Sequence, residues 1–148
     1  MAKIKCFIGT VYGAAESLAE ELKPVAEKQG HDLALFNPGT ITDLLESDVI
    51  LILTSTTGQG DIPYELESLF IALESEKPAI LNKPFAVIAM GDSNYGETFC
   101  GAGRKFRELL ASLAGREVQP MLQIDATENS DPVPVAVPWF ETFLKALN

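Results

Sequence analysis

The chain has 148 residues, 47% hydrophobic and 22% charged, which predicts a soluble globular protein of one domain, 1–148, and excludes a disordered or disulfide-built one. Asp and Glu outnumber Lys and Arg 21 to 11, giving a formal net charge of −10, the wrong sign for tracking nucleic-acid phosphates. The same field favours partners with a basic face, although acidity by itself is more simply read as solubility.

Residues 4–8, 49–53 and 85–90 are short, nearly continuous apolar runs, the pattern of strands covered on both faces of a parallel sheet. Residues 33–36 and 118–124 are mixed in polarity and suit strands nearer the edges, five strands in all. Leu18, Leu22, Val25 and Ala26 recur at helical spacing opposite Glu16, Glu20, Glu21 and Glu27, which predicts a crossover helix that Pro24 should kink or break. A short helical turn is expected at 40–46. Leu66, Leu69, Phe70 and Leu73, opened by Pro63, mark the next helix, and Phe106, Leu109, Leu110 and Leu113 another. A last helix is expected from Pro138, with Trp139 in the core and 132–138 as a stiff connection into it. Alternating strands and helices imply a doubly wound α/β sheet of order 2-1-3-4-5, which binds ligands beyond the carboxyl ends of its strands at the switch point.

Three loops end there. In the first, Gly9-Thr10-Val11-Tyr12-Gly13-Ala14-Ala15, small residues precede a helix whose unpaired N–H groups suit an anion, and Thr10 adds a hydroxyl. The loop lacks a GxxxxGK[ST] pattern, so a monoester phosphate fits better than a nucleoside triphosphate. The second, Ser55-Thr56-Thr57-Gly58-Gln59-Gly60-Asp61-Ile62-Pro63, carries hydroxyls and glycines, and a peptide beside Gly58 or Gly60 has the freedom to turn over. The third, Gly91-Asp92-Ser93-Asn94-Tyr95-Gly96-Glu97-Thr98-Phe99-Cys100, offers Tyr95 as a flat face for a planar ring. Each loop alone is an ordinary turn; their conjunction is the signal. Cys6 and Cys100 form no CxxC pair, so neither metal site nor disulfide is expected. His31 lies away from the loops and is read as structural or solvated. With no signal-like or bilayer-length apolar segment, the expected place is the cytoplasm.

Over nearly its whole length the sequence resembles the flavodoxin family, and the absence of a long insertion in 118–124 makes it similar to the short-chain, small bacterial MioC/YqcA type. Gly91-Asp92-Ser93-Asn94-Tyr95 with Phe99-Cys100 is similar to the family's third flavin loop, and 55–61 to the second, especially as found in diflavin reductases. Residues 10–15 match the phosphate loop. The resemblance implies non-covalent FMN held by Thr10, Val11, Tyr12, Gly13, Ala14, Ala15, Thr56, Thr57, Gly58, Gln59, Gly60, Gly91, Asp92, Asn94, Tyr95, Phe99 and Cys100. It also implies single-electron transfer by a monomer between a basic-faced flavodoxin reductase and acceptor enzymes.

Two of the loops depart from the family pattern. Thr57 stands where many flavodoxins place an inner aromatic, leaving Ile62, Pro63 or Tyr64 to cover that face, and Tyr12 and Ala15 replace threonines of the phosphate loop. The peptide after Thr57, at Gly58, is expected to turn its carbonyl toward the flavin N5 when that atom becomes a donor. Asp61, Asp92 and Glu97 should disfavour a second negative charge on the ring. The rival is a flavin-dependent quinone or NAD(P)H reductase on the same fold. A phosphoacceptor signalling domain would need acidic residues where Gly9-Thr10 and Ser55-Thr56 stand.

Overall fold

The computed structural model describes residues 2–10, 12–57 and 60–147. Six parallel strands form one sheet: β1 (Lys3–Gly9), β2 (Asp32–Phe36), β3 (Val49–Thr54), β4 (Pro84–Gly91), β5 (Arg116–Glu117) and β6 (Leu122–Asp125). The order is β2-β1-β3-β4-β5, with β6 also paired to β4. Between them run α1 (Ala14–Lys28), α2 (Ile41–Leu45), α3 (Tyr64–Glu76), α4 (Gly101–Ser112) and, at the end, α5 (Val133–Ala146).

The pleat explains why the central strands read as unbroken apolar runs. Successive side chains point to opposite faces, and both faces are covered. Ile4, Cys6 and Ile8 of β1, Leu51 and Leu53 of β3, and Ala86 and Ile88 of β4 meet α1 and α5. Phe7, Ile50, Ile52, Phe85 and Val87 point the other way, toward Leu44, Leu66, Leu69, Leu73, Phe106 and Leu110.

Three expectations are corrected, each at a proline. First, α1 runs unbroken from Ala14 to Lys28 with Pro24 inside it. Pro24 and Glu20 both lie on the exposed side, so the Glu20 carbonyl deprived of its N–H partner turns to water and the buried stripe is undisturbed.

Second, the last helix begins at Val133, not Pro138, and the supposed connection forms its first turns. Pro132 precedes the helix and Pro134 stands in its first turn, where no N–H is needed. Pro138 lies one turn on, on the same exposed side, so the freed Pro134 carbonyl is again solvated.

Third, the expected strand 118–124 is two strands, β5 and β6, separated around Pro120, which has no N–H to donate to the ladder. Trp139, expected in the core, is half-buried at the rim of this break. Its Nε1–H donates to the Pro120 carbonyl at 3.0 Å, and the Gln119 amide donates to the Trp139 carbonyl at 2.8 Å.

The turn expected at 40–46 is α2, five residues long and closed by a capping box between Thr40 and Asp43. His31 is buried just before β2, its Nδ1 accepting the Ala2 N–H at 3.1 Å.

Candidate functional site

All three loops leave the carboxyl ends of β1, β3 and β4, which lie side by side in the sheet. At the first, β1 ends on Gly9, where a Cβ would lie 2.7 Å from Leu66 Cδ1. Gly13 then takes φ 80° as the N-cap of α1 and, being glycine, supplies no side-chain cap of its own. Thr10 Oγ1 accepts the Ala15 N–H at 3.2 Å, which draws the loop back over the helix end. Ala14 and the fully exposed Tyr12, in the left-handed region at φ 58°, complete the described part of this loop. Val11 lies outside the described residues.

The second loop is tied to the first, the Ser55 N–H donating to the Gly9 carbonyl at 2.8 Å. Thr57 and Asp61 then bond reciprocally, Thr57 N–H to Asp61 O at 2.9 Å and Asp61 N–H to Thr57 O at 2.8 Å, closing the loop at its neck. Gly58 and Gln59 lie outside the described residues, and with them the peptide expected to turn over. Ile62 packs partly buried against the core and Pro63 is buried. Tyr64 is 87% exposed at the start of α3.

The third loop is a pair of short 3-10 turns, Ser93–Thr98, broken at Gly96. The Asp92 carboxylate accepts the Asn94 N–H at 2.8 Å, and the Tyr95 N–H donates to the Asp92 carbonyl at 3.0 Å. Tyr95 is 54% exposed, a ring with one side open to solvent. Arg104 of α4 reaches back to the carbonyls of Glu97 and Phe99. Cys100 is buried, and burial pushes its thiol up to about 11, so at neutral pH it is a packed thiol and not a nucleophile.

The second and third loops touch at glycines: a Cβ on Gly101 would lie 2.7 Å from Gly60 Cα. The structure thus brings the described predicted residues of all three loops to one edge. It also adds a residue that the sequence motifs do not point to. The Asp125 carboxylate, at the end of β6, accepts the Ser93 N–H at 3.1 Å and the Thr127 N–H at 3.0 Å. The available signal is the Asp-x-Thr sequence after a strand, which marks a turn.

Whether these residues suit FMN is decided by one atom. Thr56 Oγ1, near the start of the second loop, is buried and has no hydrogen-bond partner among the described residues, a state that leaves a polar group desolvated without compensation. Thr56 lines a cavity of about 460 Å³ with Ala14, Ser55 and Gly91, one or more from each loop. A ligand bearing hydroxyl and phosphate oxygens at this edge would satisfy it, so the residues fit.

Comparison with known proteins agrees. The sequence profile of the family described as Flavodoxin matches residues 7–139, and the chain belongs to the flavodoxin family, electron-transfer proteins whose cofactor is FMN. It is of the short-chain MioC/YqcA type. Flavodoxin YqcA of Escherichia coli K12 is 38% identical over 143 residues, covering 95% of each chain. Protein MioC of the same strain is 31% identical over 147 residues, covering 99% of each. A solved cysteine-to-serine mutant of flavodoxin from Pseudomonas aeruginosa is 37% identical and covers 98% of each chain, with a TM-score of 0.91.

Proposed function

We propose that this flavodoxin holds FMN in the three loops and shuttles single electrons, as a one-domain cytoplasmic monomer, between a basic-faced reductase and acceptor redox enzymes. The observation that carries the siting is the Thr56 hydroxyl, buried beside the other two loops and without a hydrogen-bond partner among the described residues.

When bound, FMN would supply one-electron redox chemistry, and the protein supplies position and field. The N–H groups of the first turn of α1 that stay free and the Thr10 hydroxyl would hold the phosphate, with the helix dipole adding to the attraction. Thr56 and Ser55 would hold the ribityl chain, and Thr57 and Tyr95 would flank the ring. Asp61, Asp92 and Glu97 would oppose a second negative charge on it.

A docking face adjoins the second loop. Between α3 and α4 runs a groove of about 930 Å³ that begins at Thr57 and Asp61, with Phe70 and Leu109 along it. Its rim carries Asp61, Glu67, Glu74 and Glu108 against Lys105. A partner with lysines and arginines around an apolar contact complements this surface, and such complementarity raises the rate of encounter.

The test is an absorption titration of the purified protein with FMN, followed by stepwise anaerobic reduction. A shifted flavin spectrum and two resolved one-electron steps are expected. Failure to bind with excess FMN would overturn the reading. A single two-electron step, with steady turnover of a nicotinamide and a quinone by the protein alone, would favour a reductase.

A further inference from the structure

We propose that Asp125 is a positioning residue for FMN, clamping the third loop so that Tyr95 stands where it can stack on the ring. The inference rests on the loops being the FMN site, and it adds a strand that none of the flavin loops belongs to. β6 pairs with β4 until Gly91 stands opposite Asp125, and the Ala126 N–H then donates to the Gly91 carbonyl at 2.8 Å. The third loop therefore departs from β4 at the level where β6 ends.

There the Asp125 carboxylate accepts the Ser93 N–H at 3.1 Å, the Thr127 N–H at 3.0 Å and the Thr127 hydroxyl at 2.8 Å, while the Ser93 and Thr127 hydroxyls are 3.1 Å apart. Ser93 is the first residue of the 3-10 turns, and its neighbour Asp92 carries the bonds to Asn94 and Tyr95. Two carboxylates thus act in series: Asp125 fixes Ser93, and Asp92 fixes the turn from Ser93 to Tyr95. Neither Ser93, Asn94 nor Tyr95 is buried, so packing does not hold this segment; these bonds do, together with the Thr98 hydroxyl donating to the Tyr95 carbonyl at 3.0 Å.

Bonds of this charge-assisted kind are the stronger ones. The carboxyl is held at about 2, the Ser93 side chain being the largest cause and the Thr127 and Ser93 amides following. The clamp is therefore closed throughout the neutral range.

The experiment compares wild type with Asp125→Ala, Asp125→Asn, Tyr95→Ala and the double variant Asp125→Ala/Tyr95→Ala, by FMN fluorescence titration and by amide exchange in the apo-protein. Asp125→Ala is expected to weaken FMN binding about tenfold and to speed exchange at Ser93 and Tyr95 while leaving β4 amides unchanged. Asp125→Asn, which keeps an acceptor oxygen, should recover most of the affinity. In the Tyr95→Ala background the loss on adding Asp125→Ala should shrink to about twofold or less. Equal losses with and without Tyr95, or wild-type affinity in Asp125→Ala, would overturn the assignment. Wild-type protein that binds no FMN would instead sink the reading on which it rests, and the exchange rates would still show whether Asp125 holds the loop.

Discussion

Gly101→Ala tests how tightly the second and third loops are packed together. The added Cβ would lie 2.7 Å from Gly60 Cα, 3.1 Å from its carbonyl oxygen and 3.3 Å from its carbonyl carbon. Carbon atoms settle at about 3.5–4.0 Å, so the Gly60 backbone has to retreat by roughly 1 Å. It cannot do so freely, because the Thr57–Asp61 pair closes the loop around it. Overpacking of this kind costs about 1–3 kcal/mol. Alanine's better helix propensity returns at most about 1 kcal/mol, and less at the first position of α4. A net loss of about 1–2 kcal/mol is expected in urea unfolding of the apo-protein, with FMN affinity falling several-fold because Gly60 carries the second loop. An unchanged urea midpoint together with unchanged affinity would refute the reasoning and show that the loops have slack.

Pro24→Ala and Pro138→Ala each restore an N–H to a solvent-facing turn, and each is expected to raise stability by about 1–2 kcal/mol, after allowance for a freer unfolded chain. A lower melting temperature for either would contradict the account of how these helices tolerate proline. Both cysteines are buried, and burial raises the thiol of Cys6 as well as that of Cys100. A disulfide reagent at neutral pH should therefore react with neither in the native protein and with both in urea. The Asp125 carboxyl, held at about 2, lies below the ordinary value of about 3.9. A depressed folded-state value means that its contribution is complete above about pH 4 and is lost as pH falls through about 2. Carbon-13 titration of the Asp125 carboxyl should show a midpoint near 2, and one at the ordinary value would mean that the clamp does not form.

The legible part of this fold is the part governed by period and composition. The runs at 4–8, 49–53 and 85–90 can only be strands sealed on both faces, and three such strands with helices between them leave little choice of topology. The loops are legible because glycines and hydroxyls concentrate where strands end. Proline misleads twice in the helices for one reason. Its local effect is fixed by the ring, but whether that effect matters depends on which side of an element it faces, and the exposed positions of Pro24 and Pro138 are tertiary facts. Asp125 is invisible in the sequence for a related reason. Its partner Ser93 is 32 residues away, and no spacing rule connects a strand end to a loop that leaves a different strand.

The break between β5 and β6 bears on how this protein survives before it acquires its cofactor. A sheet with a long, straight outer strand presents a row of free amides and carbonyls that another chain can extend, the first step toward fibrous aggregates. Here the outer position beyond β4 is held by two residues, then a gap containing Pro120, then four more, with Trp139 and Gln119 lashed across the gap. A template so short and interrupted recruits poorly. Straightening it, for instance by Pro120→Val, would lengthen the ladder at the expense of solubility, most visibly in freshly made protein at high concentration.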